Sequence, residues 1–233
     1  RSCFVEPQPP PWERKGNTMK ASDHTLSMIR WWRETGVDRA DLAVKRRDTM
    51  IWHRNLSLDD LSKKSRLQSW ARAQNTRHAE VYVRPSRHYS WPLVLLDDVP
   101  MSTASKVIRK YDALVVKTSE EGGCHLWLSC SRALDEEARG HAQRWLALRS
   151  GADLASTSGE HLGRLAGFKN WKPGGTWVNV IDAALRGRPW EPRFDEDTCL
   201  ERRPNQPSRQ TRGGVDTSES GREWGWVCGM LEA

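Results

Sequence analysis

The chain has 233 residues and a mass of 26.7 kDa, with 37 Lys and Arg against 30 Asp and Glu, a formal net charge of +7. Its longest apolar run, around Leu93–Leu96, is far shorter than the roughly 20 residues that span a bilayer, and no charged-then-apolar signal pattern opens the chain. A membrane helix is thereby excluded, and a soluble cytoplasmic protein is the expectation. The five cysteines include no C-x-x-C pair, so a disulfide scaffold and a structural zinc site have no support, and buried reduced thiols fit better.

The sequence begins with Arg, as a fragment or processed chain does, and residues 1–21 are Pro-rich (Pro7, Pro9, Pro10, Pro11) and read as a disordered leader. From Asp23 to Glu34 apolar residues recur at helical spacing behind Ser22/Asp23 as a cap, and Gly36 ends the helix. Residues 41–46 alternate as a strand. Ser57-Leu58-Asp59-Asp60 resembles a capping box, which predicts a helix to about Asn75. Residues 79–84 alternate as a strand that stops before Pro85.

Leu93–Leu96 is continuously apolar, which predicts a strand buried on both faces and ending at Asp97-Asp98. A helix over 102–111 and strands over 113–118 and 124–130 follow. Thr118-Ser119 and Gly122-Gly123 suit a hairpin between those strands. His125 and Trp127 share one face of the second strand, and Leu126 and Leu128 the other. That pattern fits a core on one side and a substrate groove on the other, with core packing the simpler role for Trp127 and a satisfied strand histidine the simpler role for His125. A helix from Asp135 to Ser150 ends at Gly151. Residues 159–172 suggest a functional loop, and 176–181 a last strand. After Trp190 the composition is that of a disordered tail, 191–233, although Trp224 and Trp226 could form a docking element. The interleaved elements imply one α/β or α+β domain over about 22–190.

Several residues resist a purely structural reading. Adjacent carboxylates repel unless a cation neutralises them, and Asp97-Asp98 sits at a strand end, where ligand sites of α/β proteins gather. Magnesium or manganese takes oxygen ligands and leaves room for substrate phosphates. Neighbouring strand residues point to opposite faces, so both acids can share a metal only if the strand is already ending. An ordinary acidic turn before Pro100 fits the same residues. Asp153 follows the helix end at Gly151, where a loop-initiating Asp is common. His161, Arg164, Asn170 and Lys172 around Gly163 and Gly167 suit a triphosphate cradle, or a basic surface loop. No P-loop, G-x-G-x-x-G, H-E-x-x-H or G-x-S-x-G motif occurs.

Val81-Tyr82-Val83-Arg84-Pro85, Leu93–Asp98, Val115-Val116-Lys117-Thr118-Ser119, Gly151–Ser156 and His161–Lys172 follow one another in order. Together they resemble the RepB-like plasmid DNA primases of the archaeo-eukaryotic primase superfamily. The last block, Gly-Arg-Leu-Ala-Gly-Phe-x-Asn-x-Lys, is the most specific. The resemblance covers about 22–190 and implies an α/β catalytic core with an RRM-like sheet flanked by helices. It also implies a nucleotidyltransferase that makes short primers on single-stranded DNA for plasmid or mobile-element replication, with two Mg2+ or Mn2+ ions. Asp97, Asp98 and Asp153 would be the catalytic, metal-binding acids. His161, Arg164, Asn170 and Lys172 would bind the nucleoside triphosphate. A replicative helicase or an initiator is the further partner implied.

Three departures stand out. The superfamily order places a His before the last acid, which Asp182 satisfies and Asp153 does not. Members can carry a C-terminal helical bundle, whereas here the sequence turns polar and acidic after Trp190. Gly122-Gly123 replaces bulkier residues. Two other functions fit the charge and the acids: a non-catalytic single-stranded DNA-binding accessory module, and a metal-dependent nuclease. Residues 191–233 hold 9 acidic and 6 basic side chains, so residues 1–190 carry a net charge of +10. A polyanionic partner therefore belongs to the domain, not the tail.

Overall fold

The computed structural model describes residues 19–62, 65–120, 123–172 and 175–192. The expected leader, the tail with Trp224 and Trp226, and Cys3, Cys199 and Cys228 lie outside them. Chain order is α1 (Ala21–Glu34), β1 (Arg39–Arg46), β2 (Thr49–Ser57), a 3-10 turn (Leu58–Leu61), α2 (Arg66–Asn75), β3 (Glu80–Pro85), β4 (Trp91–Pro100), α3 (Met101–Lys110), β5 (Ala113–Lys117), β6 (Gly123–Leu134), α4 (Glu136–Ser150), a second 3-10 turn (Leu154–Ser156), β7 (Gly163–Arg164) and β8 (Asn179–Ala184).

The strands form two antiparallel sheets, ordered β2-β1-β3-β7 and β4-β6-β5-β8. The second takes its strands in strand–helix–strand–strand–helix–strand order, β4-α3-β5-β6-α4-β8, with β8 beside β5. Leu42, Val44, Val81 and Val83 of the first sheet and Leu93, Leu95, Leu114, Val116 and Trp127 of the second share one core with Met28, Ile29 and Trp32 of α1. Trp32 meets Trp127 edge to face at 4.9 Å. The alternate residues Val94, Leu96, Val115, Leu126 and Leu128 are also buried, under α3 and α4. Both faces of the second sheet are therefore apolar over most of its width. The expected polar face along β6 is absent; only the end of the inter-sheet space, beyond Leu95 and Trp127, turns polar.

Several boundaries differ from expectation. The helix expected over 57–75 is two elements: Ser57 does form a capping box, but over the 3-10 turn, and Ser65 starts α2 by accepting from Gln68 N–H. Helix α1 begins at Ala21 without a side-chain cap. Strand β2 has no clean alternation, because it is a largely exposed edge. Strand β8 runs three residues later than predicted. Asp135 caps α4, and Gly151 ends it at φ +72°. Cys124 and Cys130 are buried free thiols, as expected.

Candidate active site

Strand β4 does not end at the two acids; it continues to Pro100. Leu96 pairs with Leu126 and Val99 with Cys124, so Asp97 and Asp98 together oppose His125. This is a β-bulge, which inserts one residue and re-aims side chains. Asp98 takes φ +52°, a left-handed conformation that Asp and Asn tolerate better than other side chains. The bulge removes the up-down alternation that would separate adjacent carboxylates, so the strand need not stop for both to serve one site. Gly123 lies opposite: a Cβ there would come 2.8 Å from Asp98 Oδ1. Gly123 therefore leaves room for Asp98.

Asp97 is the hub. Its Oδ1 is 2.9 Å from His125 Nε2 and its Oδ2 is 3.2 Å from His161 Nε2. Arg164 N–H donates to His125 Nδ1 at 3.1 Å. That bond leaves Nε2 as the protonated nitrogen, donating to Asp97. Burial alone would raise the Asp97 carboxyl, but the hydrogen bonds from His125 and His161 outweigh it and hold the group well below the carboxylate range. The neighbouring Cys124 thiol is pushed up to about 12 by burial, then by the charges of Asp98 and Asp97.

Asp153 is brought to the same place. Its N–H donates to the Asp97 carbonyl at 2.9 Å. Its side chain caps the Leu154–Ser156 turn, and Ser156 Oγ donates to Asp153 Oδ2 at 2.7 Å while lying 3.4 Å from Asp97 Oδ2. Asp182 is elsewhere: on β8, beyond β6 and β5 from β4, bonded to Ala183 N–H. Asp98 and Asp153 are exposed, and the Asp97 side chain retains 22% exposure.

The His161–Lys172 block divides by role. His161 keeps a side chain 30% exposed beside Asp97. Glu160 behind it is anchored by Arg84 at 2.7 Å and Arg139 at 2.8 Å. Arg164 is buried, pairs with Glu80 at 3.3 Å and lies over the Tyr82 ring; it reaches the site through its backbone N–H. Asn170 is buried, donating to the Thr118 carbonyl and accepting from Lys172 N–H. Lys172 is exposed. The glycines serve packing. A Cβ on Gly163 would lie 2.6 Å from the Trp127 ring, and one on Gly167 1.9 Å from the Ala21 carbonyl. The site residue missing from the sequence-based set is His125. Its signal is position: antiparallel pairing of β4 with β6 sets it opposite the acids.

Two antiparallel sheets thus share one core, and the bulged carboxylates lie where the space between them opens, the mixed α/β architecture of a primase-type fold. The chain belongs to the family of the RepB DNA-primase N-terminal domain, whose model matches residues 33–199. Over 161 residues it is 34% identical to Mobilization protein A of Escherichia coli, covering 67% of this chain and 22% of that protein. It thus spans about a fifth of that relative. It is similar to the crystal structure of primase RepB′ (28% identity, TM-score 0.61, covering 70% of this chain and 57% of that one). It is also similar to the catalytic domain of primase RepB′ in complex with initiator DNA (32% identity, TM-score 0.60, covering 69% and 86%). The archaeo-eukaryotic primase domain of the cyanophage S-2L primase-polymerase shares the fold, at 14% identity and TM-score 0.53 over 72% of this chain and 92% of that one.

Proposed function

We propose that the chain is the catalytic part of a plasmid primase, a nucleotidyltransferase that joins nucleotides into a short primer on a single-stranded DNA template. The observation that carries this reading is the bulge at Asp97-Asp98, with Asp153 tied to Asp97 at the open end of the inter-sheet space.

The family implies divalent metal, and the donor set suits it. Among the described residues no three or more His, Cys, Asp or Glu side chains close into a ready-made shell. What the chain offers is a group of hard carboxylate oxygens, two of the three acids being exposed. Magnesium favours such a partial site, because it keeps waters and takes phosphate oxygens from the substrate. Asp97, Asp98 and Asp153 are the residues that would hold it. A divalent ion bound there supplies positive charge for phosphoryl transfer.

The protein groups position and neutralise. His125 fixes the Asp97 carboxylate from behind through Nε2–H. His161, half-open beside Asp97, and exposed Lys172 face the incoming triphosphate. Arg164 and Asn170 support the nucleotide site indirectly, by the backbone bond to His125 and by the tie to Thr118. Catalysis of this kind rests on preorganised charge and geometry, without a covalent enzyme intermediate.

The test is primer synthesis on random single-stranded templates, with metal omitted in one arm. Wild-type chain should give products with magnesium or manganese and none without. Asp97→Asn should give none while remaining folded. Metal-dependent synthesis undiminished in Asp97→Asn would sink the site. Salt-sensitive DNA binding with no phosphodiester product under either metal would favour the accessory-module reading.

A further inference from the structure

Residues 167–170 and 176–178 pair in a short antiparallel ladder outside the main sheets. Gly167 N–H donates to the Val178 carbonyl, Val178 N–H to the Phe168 carbonyl, and Asn170 N–H to the Thr176 carbonyl. Lys169 and Trp177 form an antiparallel bridge. Extended residues alternate between two faces, and directly paired residues share one. Phe168, Asn170 and Val178 are accordingly buried. Lys169, Trp171 and Trp177 fall on the outward face.

That outward face is aromatic and cationic. Trp177 is 48% exposed, and no other tryptophan among the described residues is exposed. Trp171 is stacked on His78, with ring centroids 4.1 Å apart and planes 20° apart. Lys169 Nζ lies 4.3 Å from the Trp171 ring centre. Exposed Arg77 and Lys172 flank these rings. No Asp or Glu occurs between Glu160 and Asp182. Core packing explains Phe168 and Val178, but it explains neither an exposed indole nor a run of cations without acids.

The ladder is tied to the catalytic carboxylates. Asn170 donates to the Thr118 carbonyl at 2.7 Å. Thr118 sits at the start of the β5–β6 turn, whose far side, Gly123, packs against Asp98.

We infer that this face is a stacking platform for single-stranded DNA, with a base on Trp177 and phosphates on Lys169 and Arg77, beside a Trp171 ring already held between His78 and Lys169. Flat aromatic rings interleaved with cations bind a single strand without reading its sequence, because every base has a π-face and every nucleotide a phosphate. Cations spread along a ladder match a continuous strand better than one free nucleotide. The assignment rests on the primase reading for the role of that strand as template.

The experiment measures binding of a fluorescent oligothymidylate of about 12 nucleotides, a length within the usual site sizes, to the full chain without metal or nucleotide. Trp177→Ala should weaken binding about tenfold, the scale of one lost stacked base, and Trp177→Phe should recover part of it. Lys169→Gln should flatten the salt dependence by about one phosphate contact. Tyr89→Ala, an exposed aromatic on another segment, should leave binding unchanged. Wild-type affinity of Trp177→Ala would overturn the platform whether or not the chain makes primers. Weakened binding of nucleoside triphosphate but not of oligonucleotide would overturn it too, in favour of a nucleotide site. Weakened oligonucleotide binding in a chain that never makes primers would support the platform and remove the primase reading.

Discussion

His125 bridges a backbone amide and a carboxylate: its Nδ1 accepts from Arg164 N–H at 3.1 Å, and its Nε2 lies 2.9 Å from Asp97 Oδ1. The ring is therefore a rigid link between β7 and the bulge of β4. Groups that orient a metal-ligating carboxylate typically matter by about 10- to 100-fold in activity or metal affinity. His125→Ala should lower primer synthesis on that scale and raise the magnesium concentration needed for half-maximal rate. His125→Gln, which can still donate to Asp97, should recover part of the loss. A metal titration of both variants checks this; unchanged metal dependence would leave His125 a packing residue.

Asp153 and Asp182 compete for the role of third acid. Asp153 touches Asp97 through its own N–H and through Ser156. Asp182 stands on the far edge strand of the same sheet. Asp153→Asn keeps an oxygen to cap the Leu154–Ser156 turn, so the fold should survive. It should cost at least about 100-fold in nucleotide incorporation, the scale of removing one preorganised group that answers transition-state charge. Asp182→Asn should stay near wild type. Single-turnover incorporation with both proteins decides between them, and the reverse ranking would move the third ligand to β8.

Gly123 leaves space that Asp98 fills. A methyl at 123 would sit 2.8 Å from Asp98 Oδ1, the far end of an exposed side chain. The carboxylate can swing away at little cost, so Gly123→Ala should change stability by less than about 1 kcal/mol, as most replacements outside tight packing do. The displaced Asp98 should no longer answer Asp97, and incorporation should fall. Thermal melts alongside primer assays test this pairing of intact fold and lost activity; full activity would mean that the Asp98 position is not critical.

The long-range and the local parts of this architecture differ in how much of them the sequence reveals. Helix α4 carries its own punctuation in Asp135 and Gly151, and the buried strand is plain in Leu93–Leu96, because those signals are local. Ser57-Leu58-Asp59-Asp60 is equally local but ambiguous, since the same side-chain bonds close a single 3-10 turn or start a long helix. Strand β2 is missed because an edge strand facing solvent need not alternate. The bulge at Asp97-Asp98 depends on which residue of β6 lies across from it, a pairing that no local pattern contains. His125 becomes a site residue only through that register. Asn170 and Arg164, by contrast, stand out in the motif, while their side chains are occupied by Thr118 and Glu80.

His24 ties α1 to β8 through an uncharged ring. Val180 N–H donates to its Nδ1 at 3.2 Å, and the residue is buried. Burial lowers its pKa from the ordinary 6.5, with the charge of Asp23 acting in the opposite direction. The added proton would go to Nδ1 and break the bond to Val180. Because the folded-state value lies below the unfolded one, the unfolded chain takes up more protons as pH falls through 6.5. The contribution of His24 to stability is therefore fully present above about pH 6.5 and is lost progressively below it. Melting temperature should hold steady from pH 8 to 7 and decline on acidification below 6.5. His24→Asn, whose side-chain oxygen can accept from Val180 N–H but does not titrate, should flatten that part of the profile. An equally steep decline between pH 6.5 and 5 in His24→Asn would place the acid sensitivity in other groups.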